Sequence, residues 1–546
     1  MSVAWWGSRL GVAVLLIVLA LLVLAPLGAL AHEAWLPVMS SAGLLGGLEH
    51  GLGRDAGVAL ADTLRLAALT AGLSLTLGAG LAWLADAAPP RGMAVIEPLL
   101  LASFLIPPYL TAVAWSLLAG PAGLWQRALD FGGVALGRGL YTLTGMAAVM
   151  ALHLAPLVYV MAAGALRGVD ERLIDCAQVH GSSRLRALWT AYRPSVFPAL
   201  FGATLLVFLA ACEEFGVPKV LGNYAGVRVL SVAVEGAMNV WPVDLARAAG
   251  IGLLLATLAL VLWLATRRLS GGEPLTVHRR ARRTRLWSVW PLLLFATVAA
   301  GLPLAAIVVT ALQKAITNGL QPGNWTLAHL VHVLRPGGSG LQALRTSVVL
   351  SIVVSVLGTT LAMLTAWMLG RLASGRARAL EVLAYLPQAI PGVVLATGLI
   401  LFWNARWNPL PVYGHLAILA VAYLTLTFPY ALRYAVSGLE QAPQGLSHAA
   451  AVHGAGPLRV LGYIRLPLAW PLLLAGATVV FALSMRELAA SILLQPPGTQ
   501  VISTYIYEQF DQGNANDGMA MAVVGVLSTV ILLGVARGLL SRRGSG

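Results

Sequence analysis

Asp175-Cys-Ala-Gln-Val-His-Gly181, continuing through Leu185-Arg186 and Leu188 to Pro194, returns 273 residues later, half of the 546-residue length. The second copy is His448-Ala-Ala-Ala-Val-His-Gly454, continuing through Leu458-Arg459 and Leu461 to Pro467. Ala177/Ala450, Val179/Val452, His180/His453, Gly181/Gly454, Leu185/Leu458, Arg186/Arg459, Leu188/Leu461 and Pro194/Pro467 are identical pairs. Both copies are polar islands in a chain that is otherwise nearly all hydrocarbon. They read as one soluble loop kept in each half of a duplicated membrane protein.

Composition sets the class. Apolar residues make up 59% of the chain, charged residues only 10%, and the mean hydropathy is +0.83. A soluble domain carries about a quarter of its residues charged. Apolar runs long enough for a helix to cross about 30 Å of hydrocarbon recur along the whole length. A porin-like barrel is excluded, since its strands alternate polarity over about ten residues. The fold class is therefore an all-α polytopic membrane protein with about 12 transmembrane helices. Candidate spans are about 10–31, 57–84, 94–119, 141–166, 196–217 and 247–267, then about 287–312, 344–370, 377–404, 414–437, 471–494 and 516–536. The run Leu10 to Ala31 is too long for a signal-peptide core and reads as the first span.

Charge placement sets the orientation. The net charge is +14, and lysine occurs only at Lys219 and Lys314. Arginines cluster at Arg267-Arg268, in His278-Arg-Arg-Ala-Arg-Arg-Thr-Arg285, at Arg371/Arg376/Arg378, at Arg537/Arg542/Arg543 and inside each repeated loop. With both termini in the cytoplasm, all of these fall on the cytoplasmic side, as the positive-inside rule requires. A topogenic role accounts for the basic run, so no nucleic-acid partner is expected; membrane lipid surrounds the chain. Cys176 and Cys212 form no metal spacing and no expected disulfide.

The division that follows is an N-terminal half at 1–267, a basic cytoplasmic linker at 268–286 and a C-terminal half at 287–546. Each half carries its polar loop between its fourth and fifth spans, at 167–195 and 439–467. Halves with equal span counts enter the membrane in the same direction, as a parallel repeat, and enclose a path at their interface. Within each loop the spacing predicts two short helices joined at Gly181 or Gly454, where glycine allows a conformation or a close approach that a side chain forbids. Pro194 and Pro467 are expected to stop the loop before the fifth span. An apolar-edged helix presented twice looks built to dock onto a pair of identical soluble subunits.

Here the chain resembles a known family, the fused permease subunits of binding-protein-dependent type I ABC importers. Their signature is Glu-Ala-Ala, three residues, Gly, nine residues, then Ile-x-Leu-Pro. The second copy matches it as His448-Ala449-Ala450, Gly454, Ile464, Leu466 and Pro467, departing at the leading acid. The first matches as Asp175-Cys176-Ala177, Gly181 and Pro194, with Ala191 and Arg193 where Ile and Leu are usual. The resemblance implies that each loop is a coupling helix seated in an ATP-binding subunit. It also implies two such subunits, a periplasmic binding protein, and placement in the bacterial inner membrane. Neither lysine stands in a Gly-x-x-x-x-Gly-Lys-Ser/Thr context, so the chain is not read as an enzyme. ATP and magnesium are expected in the partner ATPase, with no cofactor on this chain.

Ala211-Cys-Glu-Glu-Phe-Gly-Val-Pro218 and Ser484-Met-Arg-Glu-Leu-Ala-Ala-Ser491 close the fifth spans. Glu213, Glu214, Arg486 and Glu487 are candidate pathway or gate residues, because charges in a membrane usually face a cavity or a partner. Capping or bracing of the outer helix ends through ion pairs is the alternative for the two aligned acids, Glu214 and Glu487. These stretches, with Ser491-Ile-Leu-Leu-Gln-Pro-Pro and Ile502-Ser-Thr-Tyr-Ile-Tyr, resemble the ferric-iron branch of the family. Ile390-Pro-Gly-Val-Val-Leu-Ala-Thr397 is shared with the thiamine branch, so thiamine or another small cation is the alternative cargo. Ferric iron is a hard cation that takes oxygen ligands, which suits paired carboxylates. A gradient-driven transporter with parallel halves is the competing class, but it has no use for two matched docking loops. A membrane enzyme would need a catalytic His/Asp/Glu cluster, and none is spaced for one.

Overall fold

The structure is a computed structural model that describes residues 2–40, 52–53, 55–120, 123–125, 133–170, 172–269, 287–410 and 412–543. Among them no strand forms, and ten helices are long and apolar enough to cross a membrane, or up to 12 if each of two bent pairs is one span. In hydrocarbon every backbone N–H and C=O must be satisfied within the chain, and a helix does this along its own length. The expected basic linker, apart from its first residues, lies outside the described residues.

Two expected spans are broken. Helix Met93–Phe104 meets Pro108–Ala119 at 91°, and Gly375–Ala389 meets Gly392–Trp403 at 108°. Prolines at 107, 108 and 391 fall at the breaks, where a missing N–H and a fixed φ prevent the ladder from continuing. The fifth spans also differ from expectation. They begin at the loop itself, as Arg184–Glu213 and Pro457–Met485, and end before Glu214 and Glu487 rather than at 217 and 494. Pro194 lies inside the first of these helices and stops nothing. Pro467 follows a π-turn, Leu461–Arg465, whose wider loop accommodates the ring, and the helix runs on.

The chain forms two compact units. One comprises Leu52–Gly236 and Leu254–Thr326. Its frame is Ala56–Ala87 (α1), Leu143–Arg167 (α2) and Arg184–Glu213 (α3), packed on one another. Gly78 brings α1 onto α2: a Cβ there would lie 2.5 Å from the Ala155 carbonyl oxygen. Such close approach is how small residues hold membrane helices together. The first span of the second repeat completes this unit. Its Leu292, Phe295, Ala296 and Ala299 share one apolar cluster with Ile96, Leu100, Ala155 and Tyr159.

The other unit comprises Met1–Gly51, Ala237–Leu253 and Leu327–Gly546. Ser339–Leu369 (α4), Leu416–Glu440 (α5) and Pro457–Met485 (α6) form the corresponding frame. Here the chain's own first span completes the unit. Helix Ala25–Ser40 packs on Gly392–Trp403, and a Cβ on Gly398 would lie 2.7 Å from the Pro26 carbonyl oxygen. Each unit thus takes its first span from the other repeat.

Candidate functional site

Two constructions occur in both units, one at each end of the fifth helix. The first is the repeated loop. Helix Arg172–Val179 ends at Gly181, and helix Gln444–Val452 ends at Gly454. Both glycines are left-handed, with φ of +83° and +81°. Gly181 N–H donates to Gln178 O at 2.9 Å, and Ser182 N–H to Ala177 O at 3.0 Å. The second copy repeats this with Gly454 to Ala451 at 3.0 Å and Ala455 to Ala450 at 2.9 Å. This is the Schellman arrangement, which satisfies the last carbonyls of a helix. No atom lies within 4 Å of either missing Cβ, so glycine is needed here for its conformation and not for space.

The loops present apolar side chains outward. Val179 is 84% exposed and Val452 85%, while Leu185 is 83% exposed and Leu458 72%. Among the matched positions, Cys176, His448, Ala449, Pro194 and Pro467 are exposed, while Asp175, Ala177, Ala450, Ile464 and Leu466 are half-buried. His180 turns its ring back to its own helix, with Nδ1 2.8 Å from Cys176 O. The second short helix expected after each glycine does not exist separately; it is the start of α3 or α6.

The second construction is a corner at the far end of the same helices. The chain leaves α3 at Glu214, whose Oε1 accepts the N–H groups of Gly216 at 2.8 Å and Val217 at 3.3 Å. It leaves α6 at Glu487, whose Oε1 accepts the Ala490 N–H at 2.9 Å. Each carboxylate therefore caps the turn that follows it, satisfying donors that a helix start leaves open.

The corner reaches three further elements in each unit. Ser231 Oγ donates to Glu214 O at 2.8 Å, and Ser503 Oγ to Glu487 O at 2.5 Å. Beside these serines, Leu230 N–H donates to Thr63 Oγ1 on α1 at 2.9 Å, and Ile502 N–H to Ser347 Oγ on α4 at 2.7 Å. The broken third span also seats here. A Cβ on Gly216 would fall 2.7 Å from Tyr109 Cβ, and one on Gly392 3.5 Å from Ala489 Cβ. The glycine sits on one side of this contact in the first unit and on the other side in the second.

Next to the caps, the aligned positions Glu213 and Arg486 carry opposite charges. Glu213 Oε1 is buried with no hydrogen-bond partner among the described residues. Close by, Lys219 Nζ meets Glu235 Oε2 at 2.7 Å, with side-chain exposures of 15% and 7%. Among the described residues no three His, Cys, Asp or Glu side chains converge as a metal site.

Residues 74–271 and 358–544 each match the family model described as binding-protein-dependent transport system inner membrane component. The chain belongs to this family. It is a transport permease of the ABC importer type, multi-pass in the inner membrane, and the match occurs twice, once in each half. The permease is 29% identical over 232 residues to a putative 2-aminoethylphosphonate transport system permease protein, PhnV, of Salmonella paratyphi A, covering 42% of this chain and 86% of that protein. It is 24% identical over 436 residues to the ferric transport system permease protein FbpB of Actinobacillus pleuropneumoniae, covering 78% and 62%. A putative ferric transport permease of Haemophilus influenzae is 25% identical over 409 residues, covering 73% and 64%. Among solved structures, a chain of a bacterial alginate importer is 20% identical, covering 47% of this permease and 95% of that chain, with a TM-score of 0.39.

The sequence reading located Glu214 and Glu487 but missed Thr63, Ser347, Ser231 and Ser503. A signal existed for the serines: Val229-Leu230-Ser231 recurs as Val501-Ile502-Ser503 at nearly the spacing of the other repeats. Single hydroxyls on the apolar helices α1 and α4 carry no such pattern.

Proposed function

We propose that this permease is the membrane subunit of an ATP-driven importer that passes ferric iron from a periplasmic binding protein to the cytoplasm. The observation that carries the importer reading is the pair of docking loops, with matched Schellman corners and matched exposed Val and Leu side chains. Two ATP-binding subunits are the fitting partners, one for each loop, and these subunits hold ATP and magnesium. The contact rests on Asp175, Cys176, Ala177, Gly181 and Pro194 in the first loop. In the second it rests on His448, Ala449, Ala450, Gly454, Ile464, Leu466 and Pro467. Both termini lie in the cytoplasm with the loops, in keeping with the arginine clusters.

Iron is favoured because the two relatives that cover most of the chain are named for ferric transport. Within the chain, the corners at Glu213-Glu214 and Arg486-Glu487 are the fitting gate. Glu213 is the group suited to meet a passing hard cation, because one carboxylate oxygen is buried and unpaired. A second reading, 2-aminoethylphosphonate import, draws on the higher identity to PhnV, over a shorter stretch.

Uptake by proteoliposomes decides between them. The permease, its co-purifying ATPase and the matching binding protein are reconstituted with and without internal ATP, and ferric iron and 2-aminoethylphosphonate are offered separately. ATP-dependent iron accumulation, lost in Glu213→Gln, supports the reading. Accumulation of the phosphonate alone replaces the cargo. Uptake without any ATPase partner overturns the importer.

A further inference from the structure

The docking loop and the carboxylate corner of each unit are the two ends of one long helix. Arg184–Glu213 starts three residues after Gly181 and stops at Glu214. Pro457–Met485 starts three residues after Gly454 and stops two residues before Glu487. At about 1.5 Å per residue each is a rod of roughly 45 Å. A displacement at the loop is carried along the helix toward the corner, less whatever bend Pro194 and Pro198 in the first, or the Leu461–Arg465 π-turn in the second, takes up. What the displacement moves depends on what the corner is fastened to.

We propose that Glu214 and Glu487 are positioning residues: each side chain holds the turn that follows its rod, at the residue whose main-chain carbonyl is joined through a serine-bearing helix to the second span of the same unit. They work as hydrogen-bond acceptors, and their charge is not required. This rests on the importer reading and refines it, since Glu213 keeps the role of meeting cargo.

Three observations carry the proposal. Each carboxylate spends one oxygen on the backbone N–H three residues ahead, and Glu214 accepts the one two residues ahead as well. Each main-chain carbonyl of the same glutamate accepts a serine hydroxyl from the next helix. Each of those serines adjoins a residue whose N–H is held by a hydroxyl of α1 or α4. The backbone carbonyl of each glutamate thus begins a chain of bonds from the fifth span to the second, and the side chain of the same residue holds the turn from which that carbonyl projects. The pattern appears in both repeats although Gly216 is replaced by Ala489, Thr63 by Ser347 and Glu213 by Arg486. The bonds persist while the residues around them vary, and the shared parts are the ones that make those bonds.

Glutamine separates acceptor from charge. Its Oε1 accepts the same N–H groups, whereas alanine accepts none. Glu→Gln and Glu→Ala are made at 214, at 487 and at both, in the full permease with its co-purifying ATPase. Two readouts are taken. Amide exchange at Gly216, Val217 and Ala490 should speed up about tenfold in the alanine variants and stay within about twofold of wild type in glutamine. Ferric-iron uptake per ATP hydrolysed should fall about tenfold in the double alanine variant, with ATP hydrolysis continuing, and be kept by glutamine.

Loss of uptake with glutamine, at slow exchange, would show that the charge is used and would overturn the proposal. Unchanged exchange with alanine would overturn it equally. If the alanine variants do not fold, Thr63→Val and Ser347→Ala open the same bonded chain at its other end. Lowered coupling in those variants supports the fastening, and full coupling sinks it. Absence of ATP-dependent uptake in wild type would remove the importer reading alone, because the exchange measurement still reports on the caps.

Discussion

Gly181 and Gly454, half a chain apart, hold the same left-handed backbone, with φ of +83° and +81°. The hydrogen bonds around them match to about a tenth of an ångström. Side chains in the two loops differ at several positions, yet the direction in which the chain leaves each docking helix does not. The geometry kept in common is that of a surface and the rod behind it.

Alanine at either glycine should therefore be costly without any clash. A left-handed residue with a Cβ pays about 1–2 kcal/mol. We expect Gly181→Ala and Gly454→Ala each to weaken recovery of the ATPase with the tagged permease, and the double variant to abolish it. Asparagine, which tolerates this conformation, should be milder at both positions.

The exposed apolar residues give the complementary case. Val179→Glu and Val452→Glu change side chains that are more than four-fifths exposed. The permease itself should lose no more than about 0.5 kcal/mol, as for ordinary surface substitutions. ATPase association should nevertheless fall sharply. An unchanged melting temperature with lost co-purification is the expected pair of results; retained co-purification removes these residues from the interface.

At the corner, Gly216→Ala should be worse than Gly392→Ala. The first places a Cβ 2.7 Å from Tyr109 Cβ and 2.9 Å from the Tyr109 backbone nitrogen, so a helix start must move. The second meets Glu487 Oε1 at 3.4 Å, Ala489 Cβ at 3.5 Å and Leu426 Cδ1 at 3.8 Å, all ordinary contacts. Overpacking of the first kind costs about 1–3 kcal/mol. Thermal unfolding in detergent, compared between the two variants, measures the difference.

Lys219 and Glu235 pair at 2.7 Å, with Glu235 buried and Lys219 half-buried, so removing Lys219 takes a counter-charge from a buried carboxylate. Lys219→Met should destabilise the permease by about 3–5 kcal/mol. Lys219→Met combined with Glu235→Met should recover much of that loss, since two apolar side chains need no counter-charge. A double variant no more stable than the single one would show that Glu235 has a further charged task.

Much of this was legible from the residues. Apolar length gave the spans, and the repeat at Asp175–Gly181 and His448–Gly454 gave the duplication and the paired polar loops. The bends were not legible, because hydropathy runs on through Ile106-Pro107-Pro108 and Ile390-Pro391 while the backbone turns by 91° and 108°. Pro194 misled for the opposite reason: within a long apolar helix the cost of one lost hydrogen bond is absorbed, so the helix continues. At the corner, the sequence showed which acids were aligned but not what they held. Their partners are backbone N–H groups, which leave no mark in a sequence, and lone hydroxyls on helices rich in Ala, Leu and Thr.

The exchange of first spans has a consequence for the order of events during synthesis. Helix Ala25–Ser40 is made before the helix it packs against, Gly392–Trp403, which follows more than 350 residues later. Throughout that interval the early helix waits in the bilayer without its partner, while Val289–Leu312 arrives to complete the unit assembled in between. Contacts of such long sequence separation are slow to form. Neither unit is therefore built from a single uninterrupted stretch of translation, and the earlier of the two helices cannot find its place until the later one is made.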